Sequence, residues 1–166
     1  MVSVTLRPPR EDDAAVHFAH PPEAEIVRMY GGDPDNLPKP SLARSKGWVA
    51  WLNDHRFGRV ILADGRLVGE VRLHQFNETD NSAHLAIGLL STRYVDRGIG
   101  RRAIQQALTI AFNDLELARV ELRVLAFNTR AIRCYQACGF RHIRTETVEI
   151  ADTAEDEWTM SCEKPA

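Results

Sequence analysis

One short segment, residues 96–102, most constrains the fold of this chain. It reads Asp-Arg-Gly-Ile-Gly-Arg-Arg and lies between a short apolar run at 83–90 and the start of a helical pattern. Gly98 and Gly100 let the backbone come close to a ligand, and the first amides of a helix have no partner within that helix. The helix dipole and the arginines add positive charge. The segment predicts either a phosphate-binding helix start or only a tight strand-to-helix connection, and the motif alone leaves both open.

The length and the charge of the chain limit its class. The chain has 166 residues, close to the size of one domain, so we expect 1–166 to form a single domain. The 21 Lys and Arg against 23 Asp and Glu give a net charge of -2 without a block of like charge, which argues against nucleic-acid binding. Three cysteines and no apolar signal core predict a reducing, cytoplasmic location. No apolar run approaches the ~18 residues of a membrane span, so we expect a soluble protein.

Hydrophobic periodicity predicts an α/β protein in which strands and helices alternate. Asp64 and Gly65 form a strong two-residue hairpin signal, because both residues tolerate a positive φ. Asn128 is expected to cap a short helix that Gly139 ends. An acidic turn is expected at 152–156. Strands are predicted at 2–7, 59–63, 66–74, 83–90, 119–126, 141–150 and 157–162, and helical segments at 14–19, 23–29, 41–53, 102–115 and 128–139.

A second motif follows the Arg-Gly-x-Gly segment at a defined separation. It reads Asn128-x-x-Ala131-x-x-x-Tyr135-x-x-x-Gly139-Phe140. The order of strand, Arg-Gly-x-Gly, amphipathic helix, strand and second motif resembles the GCN5-related N-acetyltransferases (GNAT), over residues 58–140. Residues 81–88 and the Gly-Ile-Gly-Arg-Arg-Ala form are similar to the branch of ribosomal-protein N-terminal and polyamine acetyltransferases. Residues 128–135 also resemble the matching segment of aminoglycoside 6'-N-acetyltransferases.

The resemblance implies a fold and an activity. The fold is a mixed, twisted sheet of six or seven strands with about four flanking helices, classed α/β (α+β), which splays beside the fourth strand. The activity is acetyl transfer from acetyl-CoA to a primary amine of a small molecule or of a peptide or protein N-terminus, by direct attack in a ternary complex. A non-catalytic acyl-CoA-binding or regulatory module on the same fold is the alternative, and a homodimer is left open.

The resemblance also implies which residues bind acetyl-CoA. Leu89 and Leu90 would pair their backbone with the pantetheine arm, Asn128 would hydrogen-bond the cofactor, and Tyr135 would lie near the thioester sulfur. Tyr135 could then protonate the departing thiolate, although a core aromatic is the other interpretation of this residue. The pyrophosphate would lie on the backbone N–H groups of a run of six residues: Arg97, Gly98, Ile99, Gly100, Arg101 and Arg102.

Acetyl transfer to an amine requires a base, because an amine with a pKa of ~10.4 is mostly protonated at neutral pH. His84 is the first candidate, since an imidazole titrates near neutral pH and the residue stands where the resembling branch often has Glu. A hydrogen-bonded polar residue on a strand is the other interpretation of His84. Glu70, His74 and a chain of waters are weaker candidates for the base.

The remaining polar clusters give less information. Cys134 and Cys138 lie four residues apart, but no other Cys or His pair completes a ligand set, so we predict no metal site. Carboxylates in the loop 30–36 and in the acidic turn lie where the resemblance puts the acceptor cleft, which would favour a cationic amine. Solvated surface charge is the alternative explanation.

Overall fold

The computed structural model describes all residues, 1–166, and contains one mixed sheet of seven strands. The strands are β1 Val4–Arg7, β2 Phe57–Ala63, β3 Arg66–Asn77, β4 Ser82–Leu89, β5 Arg119–Leu125, β6 Arg141–Ile150 and β7 Thr153–Glu163. They lie side by side in the order β1-β2-β3-β4-β5-β7-β6. The hairpin turn between β2 and β3 is the predicted one, with positive φ values of 49° at Asp64 and 80° at Gly65. The predicted mixed sheet is therefore confirmed.

Five α-helices accompany the sheet, as the periodicity predicts, where the family resemblance implies about four. They are α1 Asp13–Phe18, α2 Ala24–Met29, α3 Leu42–Asn53, α4 Ile99–Thr109 and α5 Thr129–Ala137. The Ser41 hydroxyl caps α3 by accepting a hydrogen bond from the Arg44 N–H at 3.0 Å. Asn128 caps α5 as predicted, and its side-chain oxygen accepts from the Ala131 N–H at 3.3 Å. None of these helices combines the length and the hydrophobicity that a membrane-spanning helix requires.

The main core lies between one face of the sheet and the apolar sides of α4 and α5. Ala103, Ile104 and Ala107 of α4 are almost fully buried against that face. Leu85 of β4 and Leu122 of β5 are buried in the same cluster. Because side chains alternate along a strand, the neighbouring even-numbered residues of β4 project from the opposite face. Helix α3 lies over part of this opposite face, which α4 does not cover.

The sheet opens between β4 and β5, its one parallel pair. These strands pair only from Ser82 opposite Arg119 to His84 opposite Glu121. Further along, β4 remains bonded to β3 and β5 remains bonded to β7, so the two strands separate. This confirms the predicted splay beside the fourth strand, and it leaves a gap that leads to the start of α4.

The predicted acidic turn at 152–156 is wrong in its extent. Ala151 and Asp152 alone turn the chain, with φ values of 47° and 64°, and Ile150 already pairs with Thr153. Two consecutive residues of positive φ suit the right-handed twist of a tight hairpin, so the pairing of β6 with β7 continues up to the turn. Strand β7 therefore begins four residues before the predicted start, and Glu155, Asp156 and Glu157 lie on a strand.

Candidate active site

The gap between β4 and β5 holds a cavity of about 420 Å³, here called the gap cavity. One wall is the end of β4 with Ile87 and Leu89, and the opposite wall is α5 with Asn128 and Tyr135. The cavity extends to the first turn of α4, and its lining is mostly apolar. The splay of the sheet and the two predicted motifs thus form a single elongated site.

The first turn of α4 supplies backbone donors to the gap cavity. Gly98 precedes the helix in the left-handed conformation, at φ 75°, and the first intrahelical bond runs from the Arg102 N–H to the Gly98 carbonyl at 3.2 Å. The N–H groups of the three residues between them have no acceptor within the helix. These three, Ile99, Gly100 and Arg101, line the cavity together with Gly98.

Two of the predicted phosphate-binding residues do not join this group. Arg97 does not line the gap cavity. Arg102 has its backbone N–H bonded to Gly98, and its guanidinium donates to the Val2 carbonyl beside β1. The structure therefore brings four of the six predicted residues together at the mouth of the helix.

Strand β4 presents only alternate residues to the gap. The Leu90 N–H donates to the Val68 carbonyl at 2.8 Å, so the backbone of Leu90 faces β3. Because backbone groups also alternate along a strand, Ile87 and Leu89 direct theirs toward the gap. Leu89 is a residue predicted from the sequence and Ile87 is not, although the alternation of the strand, counted back from Leu89, points to Ile87. The Leu89 N–H itself donates to the phenol oxygen of Tyr30 at 3.1 Å.

Helix α5 brings Asn128 and Tyr135 into the same site. Both residues are buried, at 8% and 9% exposure, and both line the gap cavity. The Tyr135 ring packs edge-on against Phe140, 6.1 Å away between centroids. Burial, with Tyr30 and the α5 cysteines nearby, raises the pKa of the Tyr135 phenol, so the hydroxyl is protonated at neutral pH.

A second cavity of about 630 Å³, here called the sheet-face cavity, lies over the face of the sheet that α4 leaves open. Its floor includes Ala86 and Gly88 of β4, and Trp48 and Trp51 of α3 form part of its wall. The two cavities have five lining residues in common, namely Met29, Tyr30, Ile87, Asn128 and Tyr135.

Glu70 is a buried carboxylate on the wall of the sheet-face cavity. Its oxygens both accept from the Arg72 guanidinium at 3.2 Å, and the guanidinium stacks over the Trp51 ring at 4.6 Å. Burial raises the pKa of Glu70 to about 7, against the opposing effect of Arg72. Gly88 lies opposite Glu70, and a Cβ at that position would come within 2.9 Å of the Glu70 Oε1 atom. A glycine there leaves room for the carboxylate.

His84 lies at the closed end of the gap. Its Nε2 atom is 3.7 Å from Glu121 Oε2, and its ring is 5.9 Å from that of His74 between centroids. Burial lowers the pKa of His84, while Glu121 acts to raise it. His84 lines neither the gap cavity nor the sheet-face cavity, so the structure does not bring it together with Tyr135.

The other predicted polar clusters divide between the site and the surface. Cys134 lines the gap cavity, and no group of three or more His, Cys, Asp or Glu side chains is arranged to hold a metal ion. In the loop after α2, Asp33 accepts a hydrogen bond from the Asp35 N–H at 2.9 Å, and neither residue lines a described cavity. Of the acidic residues near the closing hairpin, Glu149 and Glu157 reach the sheet-face cavity.

The chain is similar to known acetyltransferases. The family model described as an acetyltransferase (GNAT) domain matches residues 3–141. The spermidine N(1)-acetyltransferase of Vibrio cholerae is 30% identical over 91 residues, which are 54% of this chain and only 52% of that protein. The aminoglycoside N(6')-acetyltransferase type 1 of Klebsiella pneumoniae is 28% identical over 161 residues, 87% of this chain and 77% of that protein.

A solved structure shows the same fold. It is the spermidine N-acetyltransferase from Vibrio cholerae in complex with CoA and spermine, which superposes with a TM-score of 0.78 at 22% identity, over 97% of this chain and 95% of that chain. The fold, the reaction class and the acyl donor predicted from the two motifs are thereby confirmed. The chain belongs to the GNAT family of acetyltransferases, and is an acetyl-CoA-dependent N-acetyltransferase.

Proposed function

We propose that this enzyme acetylates a primary amine, of a small molecule or of a peptide N-terminus, at the point where its two cavities meet. Acetyl-CoA would occupy the gap cavity and the amine would enter from the sheet-face cavity. The observation that carries this proposal is the shared lining of the two cavities, which includes Tyr30, Asn128 and Tyr135. A thioester on one side of the sheet would there be within reach of an amine on the other.

The gap cavity suits a long, flexible donor that ends in a phosphate group. The N–H groups of Ile99, Gly100 and Arg101 would hold the pyrophosphate, and the helix dipole would add positive charge. Nothing lies within 4 Å of a Cβ built on Gly98, and only the Cys134 sulfur, at 3.9 Å, lies near one built on Gly100. That open surface over the first turn of α4 is the space that such a group requires. Leu89 and Ile87 would pair with the pantetheine arm, and Asn128 would contact the cofactor.

Glu70 is the base that we propose, in preference to His84. A general base is most effective when its pKa is near the operating pH. The pKa of Glu70, about 7, meets this condition at neutral pH. Gly88, opposite Glu70, lies between Ile87 and Leu89, whose backbones border the gap. His84 is four residues from Gly88, about 13 Å along an extended strand. The amine would therefore pass its proton to Glu70, directly or through a water.

Tyr135 is the acid that we propose. Its raised pKa keeps the phenol protonated, and Tyr135 lines both cavities. The amine would attack the thioester carbonyl without a covalent intermediate on the protein. A backbone N–H of β4 would stabilise negative charge on the carbonyl oxygen, and Tyr135 would give its proton to the departing thiolate.

The test is thiol release from acetyl-CoA against a panel of polyamines, aminoglycosides, amino acids and peptides. Sustained release with at least one acceptor is expected. Binding of acetyl-CoA without release across the panel would instead support the alternative of a non-catalytic module, for which a thermal shift on acetyl-CoA binding is the readout. A homodimer and a cytoplasmic location remain predictions, and sedimentation of the purified chain checks the first.

A further inference from the structure

The register of the sheet arranges the charged side chains of its open face in rows. Residues opposite each other on neighbouring strands project from the same face, so Arg72 and its β4 partner Ala86 share a row. The last β4–β5 pair joins His84 to Glu121. Two residues further along β5, the next side chain on this face is that of Arg123, which pairs with Thr159 of β7. This set, here called the arginine row, consists of Arg72, Ala86 and Arg123.

A row of carboxylates lies next to the arginine row, two residues along the strands. Glu70 pairs across β3 and β4 with Gly88, and Glu157 of β7 pairs with Leu125 of β5. Both carboxylates line the sheet-face cavity. The cavity therefore carries negative charge along one line and positive charge along the next, and the short side chains of Ala86 and Gly88 leave its floor open.

Arg123 differs from Arg72, the other arginine that lines the sheet-face cavity, because it has no acidic partner. Arg72 is paired with Glu70 at 3.2 Å, and Arg144 with Glu146 at 3.4 Å. Arg119 is paired with Asp80 at 2.6 Å. No carboxylate oxygen lies within 4 Å of the Arg123 guanidinium, and the side chain reaches the wall of the sheet-face cavity. It is the free guanidinium of the cavity.

Two neighbouring histidines, His74 and His84, have lowered pKa values, to which this positive charge contributes. Burial lowers the pKa of His74 to about 4, and Arg72 and Arg123 act in the same direction. Burial also lowers the pKa of His84, with Arg123 again contributing, although Glu121 opposes the shift. Both imidazoles are therefore neutral at neutral pH, and the positive charge at this end of the cavity comes from the guanidinium groups.

We propose that the acceptor carries a carboxylate as well as the reacting amine, as an amino acid does, and that Arg123 binds that carboxylate above Ala86. This rests on the proposed function, because the amine is placed beside Glu70. The two rows are about 6.6 Å apart along the strands, and the flexible side chain of Arg123 can bring its guanidinium closer. Since Trp51 and Glu70 already hold Arg72, Arg123 has the free planar fork that suits a carboxylate.

A site with both rows would discriminate against acceptors that carry positive charge alone. A polyamine or an aminoglycoside extended over the arginine row would meet like charge, which disfavours binding. An amino acid satisfies both rows at once, with its ammonium group toward the carboxylates and its carboxylate toward Arg123.

The experiment compares acceptors that differ only in the carboxylate. Thiol release is followed with L-lysine against 1,5-diaminopentane and with L-tyrosine against tyramine, alongside spermidine and kanamycin. We expect at least a tenfold higher kcat/KM for the amino acid of at least one pair. Arg123→Gln should raise the KM of that amino acid tenfold or more with a smaller change in kcat, while the KM of its decarboxylated partner should not rise. Arg123→Lys should recover part of the preference.

Arg144→Gln is the matched control, because it removes the same charge from the same face at a residue that does not line the cavity. Equal turnover of both members of each pair, or the same effect from both glutamine variants, would overturn the inference. If no amine at all is acetylated, the proposed function fails separately. Calorimetric titration of the two amino acids into the CoA-saturated protein then decides, since binding that Arg123→Gln abolishes supports the carboxylate site and no binding overturns it.

Discussion

The phenol oxygen of Tyr30 accepts a hydrogen bond from the backbone N–H of Leu89, at a distance of 3.1 Å. The bond joins the end of α2 to the strand edge that borders the gap. Burial raises the pKa of Tyr30 to about 12, so the hydroxyl stays neutral in this contact at physiological pH. The N–H that we assign to the pantetheine arm is therefore occupied by a side chain in the free protein.

Tyr30→Phe should strengthen acetyl-CoA binding. The substitution frees the Leu89 N–H while keeping the ring, and a neutral hydrogen bond contributes about 0.5–1.5 kcal/mol, which corresponds to roughly a two- to tenfold lower Kd. Isothermal titration with acetyl-CoA measures the change. A higher Kd in the variant would mean that Tyr30 supports the bound donor instead of competing with it.

Tyr135→Phe should lower turnover far more than donor binding. The variant keeps the ring packed on Phe140 and removes only the proton donor, and loss of a general acid costs about 10²- to 10⁴-fold in rate. We expect kcat to fall by about 10²-fold or more, with the Kd for acetyl-CoA changed less than threefold. Turnover at the wild-type rate would exclude the acid role.

Glu70→Gln and His84→Gln together identify the base. If Glu70 accepts the proton, the wild-type rate should fall about tenfold per pH unit below about pH 7, because the carboxyl is then protonated. Glu70→Gln should reduce the rate by about 10²-fold or more and remove this acidic limb. His84→Gln should leave the limb in place. Loss of the limb in the histidine variant alone would restore His84, the base first predicted from the sequence.

Asp13→Asn should destabilise the fold away from the active site. Asp13 is 3% exposed and accepts two hydrogen bonds from Arg7, at 2.7 and 2.8 Å, and one from the Arg10 N–H at 2.7 Å. Removing one charge from a buried pair costs about 3 kcal/mol, which denaturant unfolding measures. Asp12→Asn, at an exposed neighbour, is the control and should have little effect.

The same ion pair should make stability depend on pH at the acid end. Burial acts to raise the pKa of Asp13, but the hydrogen bonds from Arg7 and Arg10 outweigh it, so the folded pKa lies below the usual 3.8. The ionised carboxylate therefore stabilises the fold above about pH 4, and that contribution is lost as the pH falls through the folded pKa. Unfolding midpoints measured from pH 6 to pH 3 should fall more steeply for the wild type than for Asp13→Asn.

Local patterns predicted the parts of this fold that depend on neighbouring residues. The Asp64-Gly65 turn, the Asn128 cap and the buried side of α4 all follow from conformational preference or helical spacing. The acidic turn was predicted too long, because the positive φ of Ala151 is not signalled by its residue type. An alanine rarely adopts that conformation, and here the pairing of Ile150 with Thr153 imposes it.

The site was less predictable because its chemistry depends on register. Glu70 acquires a raised pKa from burial beside Arg72 and opposite Gly88, which is 18 positions away in sequence. Arg123 becomes distinctive only once Arg72, the other arginine of the sheet-face cavity, is found to have a partner. His84 looked favourable from its residue type alone, yet its strand position directs it to Glu121 at the closed end of the gap. These contacts join residues on different strands, so residue spacing within one segment does not predict them.

The three residue pairs that join β4 to β5 have a consequence for hydrogen exchange. Beyond His84, the Ile87 N–H points into the gap and has no partner strand, so its proton should exchange with solvent orders of magnitude faster than those that face β3. The Leu89 N–H differs because Tyr30 already accepts its hydrogen bond in the free protein. A bound donor would supply the missing partner and slow the exchange at Ile87. The interior of a sheet is ordinarily the part of a protein best protected from hydrogen exchange. Here the exchange rates of individual amides in the sheet would show whether the donor is bound.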